Sequence, residues 1–395
     1  MKIGIYGGTF DPPHLGHMES ARGAMWALAL DKLIFLPAWQ PPHKELAPHS
    51  ATPAQRLEMT AIMADGLGKS AEVCDLEHRR EGKSYTADTL RLLREQYPND
   101  ELWLLMGSDM FLSLQTWREP ETVLSLAGVA AFARTESDTG DMLKIQGEYL
   151  RKTYGAKVCI LELPGIRTIS STELRAGKGW DQLYPPVLGY ILRHGLYGSH
   201  ADLTSLTAGQ LRACSLSMVK AKRIPHILGT EETAVKLALR WGADPVLARR
   251  AAILHDCTKY WTLEEHLACC NTYGVELDAL ERQSEKLLHS KSGACVARYI
   301  YGEPAEVYQA IFYHTTGRAN MTTLEKILYL ADYMEPNRDF DGVGEMRRLA
   351  EEDLDAAVLM GCEMSISDME GRGYTIHTNT RQARDWLKGR TNDPG

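Results

Sequence analysis

Two sets of residues in this chain of 395 have the types and spacing to handle phosphates. The first is the run Gly7-Gly8-Thr9-Phe10-Asp11-Pro12-Pro13-His14-Leu15-Gly16-His17. A glycine pair lets backbone N–H groups approach a phosphate with no Cβ in the way. A helix entered just beyond it presents unpaired N–H groups and the positive end of its dipole. His14 and His17, three apart, face one side of that entry turn. The combination suits a triphosphate. The second set is His226, His255-Asp256, His289, His314 and Asp332, each in or at the edge of an apolar helical stretch. One His-Asp pair means little, and a single helical histidine is usually a satisfied core or surface residue. Six such groups in this order are different: imidazole with carboxylate suits Fe, Mn or Zn, with positions left for water and phosphate.

The elements that must position these residues change character midway. Ile3–Tyr6, Leu33–Leu36, Val73, Leu102–Met106, Val129–Ala133 and Val158–Leu161 read as strands. Helices are expected over Leu15–Leu30, from Thr52-Pro53 through Met63, and over Thr86–Gln96. Such alternation predicts a Rossmann-like α/β domain, a parallel sheet with helices on both faces and ligands beyond the carboxyl ends of the strands. The loops there are polar: Pro41-Pro42-His43-Lys44, then Glu77 to Thr86, then Gly107-Ser108-Asp109, with Trp117-Arg118 shortly after. Ile169-Ser170-Ser171-Thr172-Glu173-Leu174-Arg175 places hydroxyls at a helix start and an arginine one turn later, although Ser and Thr there are often only caps. Past Leu196–His200 strand-like runs nearly vanish. Helical patterns near 207–221, 226–241, 245–256, 262–273, 285–301, 304–314, 322–334 and 343–362 predict an all-α domain. The expected division is 1–198, a linker at 199–206, and 207–395, with Thr391–Gly395 frayed.

The net charge of −8 offers no basic excess for a general nucleic-acid or membrane-surface binder. Eight cysteines without a CxxC pairing, no signal peptide and no membrane-length apolar run predict a cytoplasmic protein with reduced thiols. Oligomeric state is left open.

The first half resembles the bacterial nicotinate-nucleotide adenylyltransferase family of the HxGH nucleotidyltransferases. The resemblance rests on the His14–His17 motif, Pro41–Lys44, Ser84-Tyr85-Thr86-Ala87-Asp88-Thr89, Gly107-Ser108-Asp109-Met110 and Ile169–Thr172. It implies adenylyl transfer from ATP to nicotinate mononucleotide, giving deamido-NAD and pyrophosphate. By the same resemblance Gly8, Thr9, Phe10, His14, His17, Gly107, Asp109, Ile169, Ser170, Ser171 and Arg175 hold ATP. Lys44, Ser84, Tyr85, Thr86 and Trp117 hold the mononucleotide, Trp117 by stacking. His17 is the expected donor to the α-phosphate, assisted by His14, Lys44 and Arg175, and Mg²⁺ arrives with the triphosphate. Where the family often has Arg-Pro-Gly, this chain has Arg134-Thr135-Glu136. Nicotinamide mononucleotide is the alternative acceptor.

The second half resembles the HD phosphohydrolases, and most of all the subfamily that splits diadenosine tetraphosphate into two ADP. Arg223–His226, His255–Lys259, Leu288–Ser290, His314–Arg318 and Leu330–Arg338 carry this likeness. It implies a core metal site of His226, His255, Asp256 and Asp332, with His289 and His314 completing a second metal site or contacting phosphate. The ion would be Fe, or Mn, Co or Zn. Asp256 would also orient the nucleophile, and Lys259 and Arg318 would neutralise phosphate. The alternative is a non-hydrolytic nucleotide sensor.

Overall fold

The computed structural model describes residues 1–41, 46–79, 82–133, 140–163 and 169–391. They form two compact units, Met1–His200 and Ala201–Gly395.

The first unit is built on strands β1 (Lys2–Gly8), β2 (Lys32–Pro37), β3 (Ala71–Val73), β4 (Glu101–Gly107), β5 (Gly128–Phe132) and β6 (Val158–Leu161). They make one parallel sheet in the order β3-β2-β1-β4-β5-β6. The order reverses between β1 and β4, and that crevice is where such sheets bind ligands. Its helices are α1 (Leu15–Ala27), α2 (Pro53–Asp65), α3 (Thr86–Gln96), α4 (Ser108–Leu112), α5 (Pro120–Leu126), α6 (Gly140–Tyr154), α7 (Ser171–Arg175) and α8 (Pro185–Arg193). Alternating strand residues feed two cores. Tyr6, Leu33 and Phe35 pack with Met18 of α1, Met59 of α2 and Val187 of α8. Ile3, Ile5 and Ile34 pack with Leu90 of α3, Val123 of α5 and Leu150 of α6.

Two expectations shift. Helix α1 ends at Ala27, not Leu30, because Ala29 takes a left-handed φ of 50° and turns the chain so that Asp31 bonds Lys2. The glycine pair belongs to β1 itself: Gly7 and Gly8 pair with Leu36 and Pro37, so the strand delivers the phosphate loop directly.

The second unit is helical: α9 (Ala208–Leu216), α10 (Ile224–Trp241), α11 (Pro245–Leu254), α12 (Leu263–Thr272), α13 (Glu285–Cys295), α14 (Ala305–Tyr313), α15 (Thr323–Met334), α16 (Val343–Glu352), α17 (Leu354–Gly371) and α18 (Thr378–Thr391). Capping boxes start α9, α12 and α15 at Thr207, Thr262 and Thr322. The expected helix at 343–362 is two helices, because Asp353 leaves the helical conformation and caps α17 through Ala356 N–H. The first expected helix stops at Leu216, and α13 runs on into a π turn, Val296–Ile300. Leu206, expected in a linker, is buried, and its carbonyl accepts from Arg250 Nη1 at 3.0 Å. Among the described residues no helix is long and apolar enough to cross a membrane.

Candidate active sites

Beyond β1 the chain turns at Phe10, whose φ is 50° and whose ring is buried against Tyr6, Phe35 and His17. The ring anchors the loop from below. A Cβ on Gly8 would lie 3.0 Å from it, so a larger residue there would have to displace the ring. His14 is the N-cap of α1, and its N–H donates to His17 Nδ1 at 3.3 Å. The two rings lie against each other, tilted by 36° with centroids 3.7 Å apart. Because Nδ1 of His17 accepts, its ring proton sits on Nε2, which makes His17 a donor.

His17 lines a recess of about 130 Å³ with Gly8, Thr9, Phe10, Ser171 and Arg175. Arg175 Nη1 donates to Asp11 O at 2.6 Å, Nη2 donates to Thr172 Oγ1 at 3.1 Å, and Ser171 Oγ donates to Pro12 O at 3.2 Å. These bonds dock α7 on the phosphate loop. Ser170 is used differently, as the cap of α7 bonded by Thr172 N–H, while Ile169 packs on the core. Neither lines the recess. The only carboxylate lining it, among the described residues, is Asp11; its Oδ2 has no hydrogen-bond partner and lies 3.7 Å from Arg175 Nη1. One carboxylate fits a cation carried on a triphosphate and not a protein cage.

A larger cavity of about 420 Å³ shares Gly7, Gly8 and Thr9 with the recess. Ser84, Tyr85, Thr86 and Trp117 line it as a group. Gly107 and Asp109, expected with ATP, line this cavity and not the recess. Helix α3 starts here, with Tyr85 at its N-cap offering no side-chain bond, so the positive end of its dipole faces the cavity. Arg118 lies 4.5 Å from the Tyr85 ring centre. Sequence reasoning gave no role to Glu77, a buried acid of this cavity that accepts from Thr89 Oγ1 at 3.0 Å. Lys44 and Arg134 lie outside the described residues.

In the second unit five helices bring the His/Asp set together. His226 sits in the first turn of α10, His255 and His314 cap the carboxyl ends of α11 and α14, His289 is within α13, and Asp332 is in the last turn of α15. They gather as two triads, His226–His255–Asp332 and Asp256–His289–His314. Asp256 lies between the two groups and reaches both. Its Oδ2 lies 3.8 and 3.6 Å from Nε2 of His226 and His255, and its Oδ1 lies 3.1 Å from His289 Nε2.

The hydrogen bonds fix the tautomers of this cluster. His255 and His314 each donate Nδ1–H to a carbonyl, of Ala252 and Ile311, at 2.7 Å. His226 Nδ1 faces the buried Glu335 carboxylate at 3.1 Å. Lys259 Nζ donates to His289 Nε2 at 3.0 Å. All four Nε2 atoms therefore carry lone pairs, yet His226 and His255 bring theirs within 3.1 Å, and His289 and His314 within 3.2 Å. Facing lone pairs repel unless a cation lies between them, so the donor set fits a metal in each triad. Burial pushes His255 down to about 4 and His314 well below its ordinary value, so both stay neutral. Burial alone would raise Asp256; the Lys259 ammonium beside it opposes that and helps to hold it below the usual carboxylate range.

Arg223 pairs with Asp256, and Arg338 Nη2 lies 3.0 Å from Asp332. Neither arginine was given a role from the sequence. Arg318, expected at phosphate, is bound to the buried Glu325 at 2.8 Å over the Tyr313 ring, because Glu325 also completes the α15 cap. Glu335 was likewise missed. A Cβ on Gly229 would collide with its carboxylate, so a helix-interior glycine makes room for it. A carboxylate that fixes a ligating histidine is worth roughly 10–100-fold in metal affinity. Glu335→Gln is expected to weaken metal binding by about that factor in a chelator competition; unchanged affinity removes the role.

A doubly wound sheet with phosphate loops at its switch point, followed by helices converging on histidines and aspartates, defines a nucleotidyltransferase joined to an HD domain. The cytidylyltransferase-like family matches residues 5–177, and the HD domain family matches residues 223–337. Proteins named probable nicotinate-nucleotide adenylyltransferase are similar to the first half. That of Neisseria meningitidis serogroup A is 38% identical over 201 residues, covering 50% of this chain and 98% of its own length. That of Desulfitobacterium hafniense is 39% identical over 206 residues, covering 50% and 95%. A crystal structure from Clostridium acetobutylicum, described as a predicted HD superfamily hydrolase involved in NAD metabolism, is 38% identical and covers 47% of this chain and 98% of that one, with a TM-score of 0.46. The chain belongs to the nicotinate-nucleotide adenylyltransferase family and carries an HD domain after it. It is a nucleotidyltransferase, and the activity supported is adenylyl transfer to nicotinate mononucleotide in NAD biosynthesis.

Proposed function

We propose that the first unit joins ATP to nicotinate mononucleotide through the residues gathered at the switch point, and that the second hydrolyses diadenosine tetraphosphate to two ADP. The meeting of two pockets at Gly7, Gly8 and Thr9 carries the first reading. A triphosphate in the recess and a mononucleotide in the larger cavity bring the acceptor phosphate to the α-phosphorus. The acceptor oxygen is already ionised, so no general base is needed. Its P–O bond forms as the bond to the bridging oxygen breaks, and pyrophosphate leaves. Catalysis is then positioning and charge stabilisation, with His17 Nε2–H, Arg175 and the backbone N–H groups of the loop as donors. Mg²⁺ carried on the triphosphate supplies further charge neutralisation.

The uncapped start of α3 and the nearby Arg118 favour an acceptor bearing a carboxylate over one bearing a neutral amide. A charge-assisted bond in place of a neutral one is expected to give nicotinate mononucleotide a kcat/KM advantage of about tenfold or more over nicotinamide mononucleotide. Side-by-side assays of both decide this, and preference for the amide overturns the acceptor assignment.

In the second unit the converging Nε2 atoms carry the reading. His226, His255 and Asp332 would hold one ion, and Asp256, His289 and His314 another. Ions of the Fe, Mn or Co class supply Lewis acidity toward phosphate and water when bound. The half-exposed Lys259, Arg223 and Arg338, now paired to the site's own carboxylates and imidazole, are placed to exchange those partners for phosphate oxygens. Three cations around an anionic centre suit a polyphosphate, and attack next to its midpoint leaves two nucleoside diphosphates.

A further inference from the structure

Arg56 belongs to none of the phosphate-handling motifs, yet among the described residues it is the largest fully buried side chain. It projects from α2, where Met59 and Met63 are its buried companions. Its Nη1 donates to Thr9 O at 2.8 Å and its Nη2 to Trp39 O at 3.0 Å. Thr9 lies in the wall shared by the recess and the larger cavity. Trp39 follows β2, and its N–H donates to Ser84 Oγ at 3.2 Å, while Gln40 O accepts from Ser84 N at 3.1 Å. One guanidinium thus ties the triphosphate loop to the stretch that holds the Ser84–Thr86 wall of the other pocket.

Removing a guanidinium from water is costly, and a leucine or methionine would serve the packing of α2 alone. Burial lowers the pKa of Arg56, and the charges of Asp11 and Glu77 oppose that shift. Asp11 lines the recess and Glu77 the larger cavity, so the arginine is countered from both pockets. Asp11 is itself fixed, with Oδ1 accepting from Ala51 N–H at 3.1 Å and from Tyr197 Oη–H at 2.7 Å.

We propose that Arg56 is a positioning residue for adenylyl transfer, setting the separation of the triphosphate loop and the mononucleotide wall so that the acceptor phosphate meets the α-phosphorus in line. The proposal rests on the adenylyltransferase reading. Arg56 touches neither substrate; it acts through two carbonyl oxygens, and lysine reaches only one of them.

The test is steady-state kinetics of the 395-residue chain with Arg56→Lys and Arg56→Gln, alongside circular dichroism and melting. A misplacement of about 1 Å costs roughly 10²-fold in rate, so kcat is expected to fall on that order while KM for ATP and for nicotinate mononucleotide each stay within about threefold. A merely structural role lowers the melting temperature without that split. A folded variant that keeps kcat within about threefold overturns the proposal. Should neither variant fold, Arg56→Met decides, since it keeps the packing of α2 and removes both bonds, to the carbonyls of Thr9 and Trp39. A kcat within about threefold of the parent then overturns the proposal, and a larger loss at unchanged KM supports it. A parent chain that forms no dinucleotide from ATP and nicotinate mononucleotide refutes the functional reading instead, so the two failures are distinct.

Discussion

The 395-residue chain loaded with Fe²⁺, Mn²⁺ or Co²⁺ is expected to convert diadenosine tetraphosphate to ADP, and His255→Ala to lose that turnover by a factor on the order of 10³ or more. His255 is fully buried, with Nε2 within 3.1 Å of His226 and 3.9 Å of Asp332, so its removal leaves one triad with two ligands. Truncating a buried ring also costs stability, about 2–5 kcal/mol for comparable deletions. Asp256→Asn is therefore the companion variant. It keeps the size of the side chain and removes the charge that faces both triads, so it is expected to lose comparable activity at nearly parental melting temperature. The product distribution carries the second half of the result. ADP alone means cleavage at the centre of the tetraphosphate, whereas ATP with AMP means attack at an outer phosphorus and refutes the symmetric reading. Metal-loaded parent protein that binds the dinucleotide without turning it over makes the second unit a nucleotide sensor. Adenylyl transfer by the same preparations reports separately on the first unit.

What was legible in the sequence is what depends on local pattern. The apolar runs that became β1, β2, β4, β5 and β6, and the Thr52-Pro53 start of α2, follow from hydrophobic periodicity and caps. So does the gathering of His226, His255, His289, His314 and Asp332, because a common centre is the simplest reason for such residues to recur along successive helices. What was hidden depends on tertiary partners. Arg56 looks like a solvent-facing charge on an amphipathic helix, and only the carbonyls of Thr9 and Trp39 show otherwise. Arg318 looked free for phosphate until Glu325 was found bonded to it. Ser170 and Ser171 are adjacent hydroxyls of equal promise, yet one caps α7 and the other lines the recess. The place of Asp256 was equally out of reach, since its two oxygens face different groups only once α10, α11, α13 and α15 have packed. Nothing in the helical period marks the break at Asp353, where an N-cap residue stopped one helix and began another.

His17→Asn is expected to lower kcat for adenylyl transfer by about 10²–10³-fold, the usual cost of removing one preorganised donor to a developing oxyanion, with KM for nicotinate mononucleotide nearly unchanged. Asparagine is chosen because its Oδ1 takes the place of Nδ1 as acceptor for the His14 N–H, so the turn into α1 stays closed. What it lacks is Nε2–H, the donor that the 3.3 Å bond from His14 places on the far side of the ring. Alanine would confuse the result, since it also removes the ring contact with His14 and the edge contact with Phe10. Because the recess and the larger cavity share the wall Tyr6–Thr9 while His17 lines the recess and not the larger cavity, a loss confined to kcat assigns His17 to the transition state. A rise in the KM for ATP at full kcat would instead make it a binding residue for the ground-state triphosphate, and a kcat within about tenfold of the parent would pass the principal donor role to Arg175. Arg175 is held to Asp11 O and Thr172 Oγ1, so its guanidinium is as firmly placed as the imidazole, and Arg175→Lys at equal charge then becomes the variant expected to lose rate.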